Sequence, residues 1–450
     1  MTQASDSLTC TRMIGQLPPS WNRSVIFFAN LKSLFFGNQA ERDFLLSEVR
    51  GVSTYGGRLI PLLNLLYHSE HNLLVLEEAP DPVLLQYFTQ DLKLSIPEVR
   101  ILPFDPYRQM QETDPCFQDL ADHAADWVEG FVTDSYLGEL TRRLGKQGTT
   151  SSEGSYQGNN KLLLHQHLEQ QGLPTFDTFL AHSASEAVHA LAGLRDQGYA
   201  GAVVKSPIGA SGIGLFKLAA DPAAAGTIPD YLFHEDACMV QGWLGDDLPG
   251  VSDIRSPSVQ LFVHEDHLSL YDLTEQLLSP DSLHEGNVAP PPYLASHAGL
   301  QEELLRQAEV AGRWLHRTTY RGTASVDFLL AQRNGKTEVR ICEINARVTG
   351  ATYPSMLARH FAPGEAWLMR NLRAHEPVPG EAILDALDTA GLLYHPRRIR
   401  GVLPINFNLN PEGQVFKGQF LCIAPDPEDC AELLREADEL YTTEWSNTHD

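Results

Sequence analysis

The segments from Thr323 to Ala331 (TASVDFLLA) and from Lys336 to Ile344 (KTEVRICEI) constrain the fold more than any other part of the chain. Both are rich in residues that suit a pleated, half-buried surface, and only a short polar stretch separates them. Arg333, Asn334 and Gly335 suit a three-residue hairpin loop with Gly335 in the left-handed region. Pairing Gln332 with Lys336 then sets Ser325 opposite Glu343 and Asp327 opposite Ile341, so Asp327 and Glu343 become near neighbours on one face. A two-residue loop would send them to opposite faces. Asn345 follows Glu343 by two residues and shares its face, and Arg347 extends the line if the strand continues. Two carboxylates and an amide oxygen make a hard oxygen site suited to magnesium, which takes few protein oxygens and leaves its other positions to water and phosphate. By themselves these residues fit a solvated hairpin face equally well. The apolar neighbours and the residues upstream favour the metal reading.

Upstream, Ala202 to Lys205 (AVVK) reads as a strand ending in a lysine, followed by the loop Ser206 to Gly214 (SPIGASGIG) and a strand from Leu215 to Leu218. Gly209, Gly212 and Gly214, with Ser211 among them, let backbone N–H groups close around phosphate oxygens while the Lys205 charge sits on the same group. Lys161 begins a helix that stops at Gly172, and a helix N-terminus favours anions.

The remaining organisation is α/β. Apolar runs from Ser24 to Ala29, Asn72 to Leu76 and Val99 to Leu102 alternate with helix-like stretches such as Asp81 to Leu92. An amphipathic stretch from Phe117 to Leu144 leads into a polar segment, Gly145 to Gly158, that reads as a mobile connection. Four units are expected: 1–150, 151–245 with the phosphate loop, 246–375 with the metal residues, and 376–450. Further helices are expected from Ala219 to Ala225, Gln301 to Arg317 and Pro427 to Leu440. Further strands are expected from Cys238, Ser258 to Val263, Leu268 to Asp272, Gly401 to Asn406 and Gly418 to Ile423.

The 450 residues carry 33 basic and 58 acidic side chains, a formal net charge of −25 that repels nucleic-acid backbones and anionic membrane surfaces. The apolar stretch from Leu59 to Leu76 is interrupted by Pro61, Asn64, His68, Glu70 and His71, and Met1 to Thr11 lacks the pattern of a secretory signal. Six scattered cysteines form no close pair, in keeping with reduced thiols in the cytoplasm. His264 and His267 flank a turn at Glu265-Asp266 and are read as hairpin residues in preference to metal ligands.

The order Lys161, Lys205, glycine-rich loop, connector from Val240 to Leu244, Asp327 and Glu343-Ile344-Asn345-Ala346-Arg347 resembles the ATP-grasp superfamily over about Tyr156 to Glu376. The resemblance implies a two-lobed α+β ATP-grasp core behind an N-terminal pre-ATP-grasp domain. It further implies that Lys161 and Lys205 contact ATP phosphates, that Ser211, Gly212 and Gly214 close over them, and that Gln241, Trp243 and Leu244 hold the adenine. Asp327, Glu343 and Asn345 would hold magnesium, with Arg347 and Lys205 as catalytic groups. Gln241 departs from the glutamate common in the family, and the acid on the ribose stays open among Asp246, Asp247 and Asp253. The outer domains, with YDLTEQ (Tyr271 to Gln276) and His284-Glu285-Gly286-Asn287, are similar to pheganomycin-type peptide ligases. That implies a small-molecule carboxylate and an amine as substrates, no nucleic acid or membrane partner, and Gln276, Asn287 and Arg347 at the substrate. A homodimer stays open. Rival readings are a carboxylase, a thiol ligase or a non-catalytic ATP-binding module.

Overall fold

The short apolar runs of the N-terminal third assemble into a five-stranded parallel sheet in the order Glu98–Ile101, Leu73–Leu76, Val25–Phe28, Trp127–Gly130, Gln147–Gly148. The chain is seen in a computed structural model that describes all residues except 1–7, 50, 211, 219–227, 246–247, 280–283, 298, 441–444 and 447–450. Val25–Phe28 and Leu73–Leu76 are buried at every position, as expected of inner strands covered on both faces. The amphipathic stretch from Phe117 to Leu144 is not one element. It divides into a helix Pro115–Asp122, the strand Trp127–Gly130 and a helix Ser135–Arg143, because sheet pairing captures its middle.

The expected mobile connection is also replaced by regular structure. Gln147–Gly148 pairs with the sheet, and Ser152–Asn159 is a helix whose Gly154 N–H donates to the Ser151 hydroxyl at 2.9 Å. Its glycines serve close approach: a Cβ at Gly154 would sit 2.6 Å from the Thr318 carbonyl oxygen, and one at Gly158 would sit 2.6 Å from Leu315.

Glu129 lies within an inner strand of this sheet with only 7% of its surface exposed, and burial pushes its carboxyl up to about 8. The carboxyl of an unfolded chain titrates near 4.5, so the folded state holds the extra proton between those values. Stability from this group is therefore present at low pH and is lost as pH rises through about 8. Glu41, pushed up to about 7 by burial, acts in the same direction. Glu129→Gln is expected to flatten the fall in urea midpoint between pH 5 and pH 9, recovering on the order of 3 kcal/mol at the upper end. An unchanged pH profile in the variant would contradict this account.

A four-stranded antiparallel sheet follows, ordered Thr178–Ala181, Cys238–Gly242, Ala202–Ala210, Ile213–Leu218, with the helix Ala184–Asp196 against it. The helix expected from Ala219 to Ala225 lies outside the described residues.

The third sheet has eleven strands. Its main path runs Val251–Arg255, Gly322–Arg333, Pro257–Val263, His267–Leu278, His284–Ala289, Ala366–Val378, Val415–Ala424, Gly401–Leu409, and Lys336–Asn345 pairs with Gly322–Arg333. The helix Leu300–Arg317 covers one part of it with Leu304, Ala308, Ala311 and Leu315. The strand Ala366–Val378 crosses the expected boundary between 375 and 376, so the C-terminal strands continue this same sheet. His264 and His267 face each other across the Glu265-Asp266 turn with ring centroids 3.8 Å apart, and Glu265 pairs with Arg23 and Arg321. Among the described residues, no helix is long and apolar enough to cross a membrane.

Candidate active site

The hairpin Gly322–Arg333/Lys336–Asn345 corrects two expectations. Arg333 pairs with Lys336, so the turn has two residues, Asn334 and Gly335, both with positive φ. On a regular ladder that turn would put Asp327 and Glu343 on opposite faces. A bulge restores them: Phe328 pairs with Ile341 and Asp327 with Glu343, leaving Cys342 as the extra residue. Asp327 thus stands opposite Glu343, where Ile341 was expected, and Ser325 stands opposite Asn345, where Glu343 was expected.

The three oxygen-bearing side chains converge. Asn345 Nδ2 donates to Asp327 Oδ2 at 2.8 Å and reaches Glu343 Oε1 at 3.5 Å, while Ser258 and Ser325 donate to Asp327 Oδ1 at 2.6 and 3.1 Å. Lys161 Nζ lies 3.0 Å from Glu343 Oε2 and donates to the Gly209 carbonyl at 3.1 Å, tying the carboxylates to the glycine-rich segment. The Lys161 ammonium and the Asn345 N–H groups answer the charge of the two carboxylates. A half-turn of the Asn345 amide would present its oxygen instead. The donor set therefore fits a magnesium ion, although among the described residues no three His, Cys, Asp or Glu side chains gather as a metal group. Burial, then the neighbouring Glu343 charge, pushes Asp327 up to about 6, whereas Lys161 and Arg347 outweigh burial at Glu343 and hold it low.

Lys161 starts its helix because the Asn160 side chain accepts the Leu162 and Leu163 N–H groups at 3.0 and 3.1 Å. Lys205 is half-buried with its ammonium 5.5 Å from the Phe176 ring centre, and burial lowers its pKa. The loop expected after it is instead strand as far as Ala210, interrupted by an irregularity between Lys205 and Ala210 and turning through Gly212 and Gly214, both with positive φ. Ser211 lies outside the described residues, as do Asp246 and Asp247. Asp253 pairs with Arg255 at 2.9 Å.

In the connector, Gln241 donates its amide to Thr178 at 3.0 Å, Leu244 is buried, and Lys217 lies 4.7 Å over the Trp243 ring. Gln276 and Asn287 are cross-strand partners, and Asn287 Oδ1 lies 2.7 Å from His284 Nε2.

Two contributors were not read from the sequence. Asn159 Oδ1 accepts from Arg347 Nη1 at 2.6 Å and from Ala346 N at 3.2 Å, while its Nδ2 donates to Ser155 O at 2.8 Å. Arg347 lies beyond the strand end at Asn345, and Asn159 is what aims it. Glu41 reaches in from the N-terminal domain, its Oε1 2.9 Å from where a Gly214 Cβ would lie. The Asn159-Asn160 pair before Lys161 was a usable capping signal. Glu41 left none.

No family model matches the chain. It is 27% identical over 229 residues to the [butirosin acyl-carrier protein]–L-glutamate ligase of Niallia circulans, covering 50% of this chain and 51% of that protein. The chain thus matches about half the length of that curated relative. Among solved structures, an ADP complex of N5-carboxyaminoimidazole ribonucleotide synthetase superposes with a TM-score of 0.58 at 13% identity, covering 94% of this chain and 98% of that one. The L-amino acid ligase of Bacillus licheniformis gives 0.52 at 14% identity, covering 94% and 98%. The biotin carboxylase domain of the Hydrogenobacter thermophilus 2-oxoglutarate carboxylase gives 0.55 at 9% identity, covering 93% and 90%. At such identities the structural likenesses show the fold, which is the ATP-grasp fold.

Proposed function

We propose that the chain is an ATP-dependent carboxylate ligase that activates an acid as an acyl phosphate and passes the acyl group to an amine, forming a peptide or amide bond. The reading is carried by the pairing of Asp327 with Glu343 beside Lys161 at the glycine-rich strand pair. It is supported by the ligase names of the curated relative and of one solved likeness.

Asp327, Glu343 and Asn345 would hold magnesium, which offsets phosphate charge when bound. Lys161 and Lys205 would contact the phosphates, the Gly212 turn would close over them, and the Gln241 carbonyl oxygen would accept the adenine amino group between Trp243 and Leu244. A substrate carboxylate oxygen attacks the γ-phosphorus in line and ADP leaves. The amine then attacks the acyl carbon, Arg347 holds the oxyanion, and phosphate departs as the amide forms. Gln276 and Asn287 lie on the strands proposed to border the substrate.

Product analysis tests this reading. ADP and phosphate, formed only with acid and amine together, are expected; AMP with pyrophosphate would overturn it. The curated relative's name favours a second reading, a carrier-protein thiol as acceptor. Thioester product without added amine would select it.

Asn159→Ala is expected to lower kcat by up to about 100-fold with little change in the KM for ATP, since it releases Arg347 without touching the phosphate ligands. A loss confined to KM would remove Asn159 from this positioning role.

A further inference from the structure

The parallel strands of the N-terminal domain release their chain at one end of the sheet. Lys32 and Ser33 follow Val25–Phe28, Glu77 and Glu78 follow Leu73–Leu76, Phe104 and Asp105 follow Glu98–Ile101, and Asp134 follows Trp127–Gly130. Val25–Phe28 has Leu73–Leu76 on one side and Trp127–Gly130 on the other, so the connections diverge there. At such a point the carboxyl ends of the strands open into a crevice that suits a ligand.

Two adjoining cavities occupy this crevice and share Lys32 and Phe104. The smaller, about 30 Å³, has room for a group the size of a carboxylate and is also bordered by Arg42, Arg108 and Asp134. The larger, about 290 Å³, is bordered by three carboxylates, Glu77, Glu78 and Asp105.

Internal pairing leaves charge over at both ends. Lys32 Nζ donates to Glu77 Oε2 at 2.6 Å, and Arg108 Nη1 donates to Asp134 Oδ2 at 2.6 Å. Among the described residues Arg42 has no carboxylate partner: its guanidinium donates to the neutral Gln39 side chain and stands 5.7 Å from the Phe104 ring centre. Glu78 accepts from the neutral Ser53 hydroxyl at 2.5 Å, and Asp105 has no ion-pair partner among the described residues. One cation is thus spare at the small end and two carboxylates at the large end.

Buried polar atoms lead to the same place. Ser33 lines the smaller cavity at 5% exposure and Glu77 the larger at 8%, and neither the Ser33 hydroxyl nor Glu77 Oε1 has a hydrogen-bond partner. Orphaned polar groups beside a cavity call for a partner that fits there. Burial raises the Glu77 pKa against the pull of Lys32, and the Glu78 and Asp105 charges raise it further, so three carboxylates compete for one ammonium.

We propose that the crevice binds a small zwitterion charged at its two ends: a carboxylate beside Arg42, an ammonium or guanidinium among Glu77, Glu78 and Asp105, and an aliphatic chain along Phe104. This site shares no residue with the ATP and magnesium groups proposed above and goes beyond that reading. One helix, Gln39–Glu48, stands between the two, with Arg42 bordering the crevice and Glu41 approaching Gly214.

The test is thermal stabilisation and calorimetry on the full chain without nucleotide. The zwitterionic probes are arginine, lysine and ε-aminocaproate. Their counterparts are agmatine and cadaverine, which lack the carboxylate, and caproate, which lacks the cation; inorganic phosphate is the plain anion. At least one zwitterion is expected to raise the melting temperature and to bind about 10-fold more tightly than its counterpart. Arg42→Gln is expected to remove the advantage that the carboxylate confers. The double variant Glu78→Gln with Asp105→Asn, at exposed positions, is expected to weaken every cationic probe by a similar factor while folding normally by circular dichroism, and it decides the matter where Arg42→Gln does not fold. No binding of any zwitterion, equal binding of zwitterion and counterpart, undiminished binding by the double variant, or phosphate binding as tightly as the best zwitterion would each overturn the proposal. With no nucleotide present, these outcomes leave the ligase reading untouched, and a failure of ADP release would leave this site standing.

Discussion

Glu343→Gln is expected to abolish the magnesium-dependent ADP release proposed above, a loss of at least about 100-fold, while the hairpin stays folded. The carboxylate sits opposite Asp327, within 3.0 Å of Lys161 and 3.5 Å of the Asn345 amide, so on the proposed reading it would organise both the metal and the lysine that faces the phosphates. Glutamine keeps the size and one oxygen but removes the charge that Lys161 answers and that magnesium requires. A second readout does not depend on turnover: manganese, used as a paramagnetic substitute, is expected to bind the wild type with the ATP analogue and to bind the variant much more weakly. Normal turnover with normal manganese binding would show that the Asp327 and Glu343 pair is not the metal site.

The largest effect on stability is expected at Asp272. Its carboxylate accepts from Arg359 Nε at 3.1 Å, Arg359 Nη2 at 2.9 Å and Trp367 Nε1 at 3.0 Å, and also from the Ser355 hydroxyl. The side chains of Arg359 and Asp272 are only 3% and 1% exposed, so the pair is an internal clasp between the strand His267–Leu278, the helix Thr352–Phe361 and the strand Ala366–Val378. Asp272→Ala leaves a guanidinium in the interior without its counter-charge and is expected to cost about 3 to 5 kcal/mol, read as a shift in urea midpoint. Asp272→Leu combined with Arg359→Met should recover much of that loss, because removing both charges also removes the desolvation problem. A single substitution costing under about 1 kcal/mol would mean that the clasp is relaxed by water.

The sequence revealed elements wherever local chemistry and tertiary context agree. Lys161 was placed at a helix start from the leucines that follow it and the stop at Gly172, and the structure caps that start with Asn160; the helix read from Pro427 to Leu440 has those bounds. Asp327 and Glu343 were put on one face through an odd-length turn, whereas the structure achieves it with an even turn and a bulge at Cys342. A bulge shifts the alternation of a strand by one residue at a single point, and that local change of phase is not told apart in the sequence from a turn one residue longer. The segment from Gly145 to Gly158 was misread for a related reason: its glycines look like flexibility but allow a helix to press on Thr318 and Leu315. Trp127–Gly130 was missed because pairing with Val25–Phe28 overrides the helical period around it. Asn159 was invisible as an aiming group until helix and hairpin were seen side by side.

The bulge has a practical consequence for spectroscopy. Register is set beside Asp327, and the Asn334-Gly335 tip lies seven residues further on, about 23 Å along the strand. A dye or spin label on that tip would therefore report on movement of the lobe without burdening its chemistry. The native thiols offer little competition for the label. Burial pushes Cys10 up to about 11 and Cys238, Cys342 and Cys430 up to about 12, and it raises Cys116 and Cys422 as well. A single exposed cysteine introduced by Asn334→Cys should thus take the label selectively.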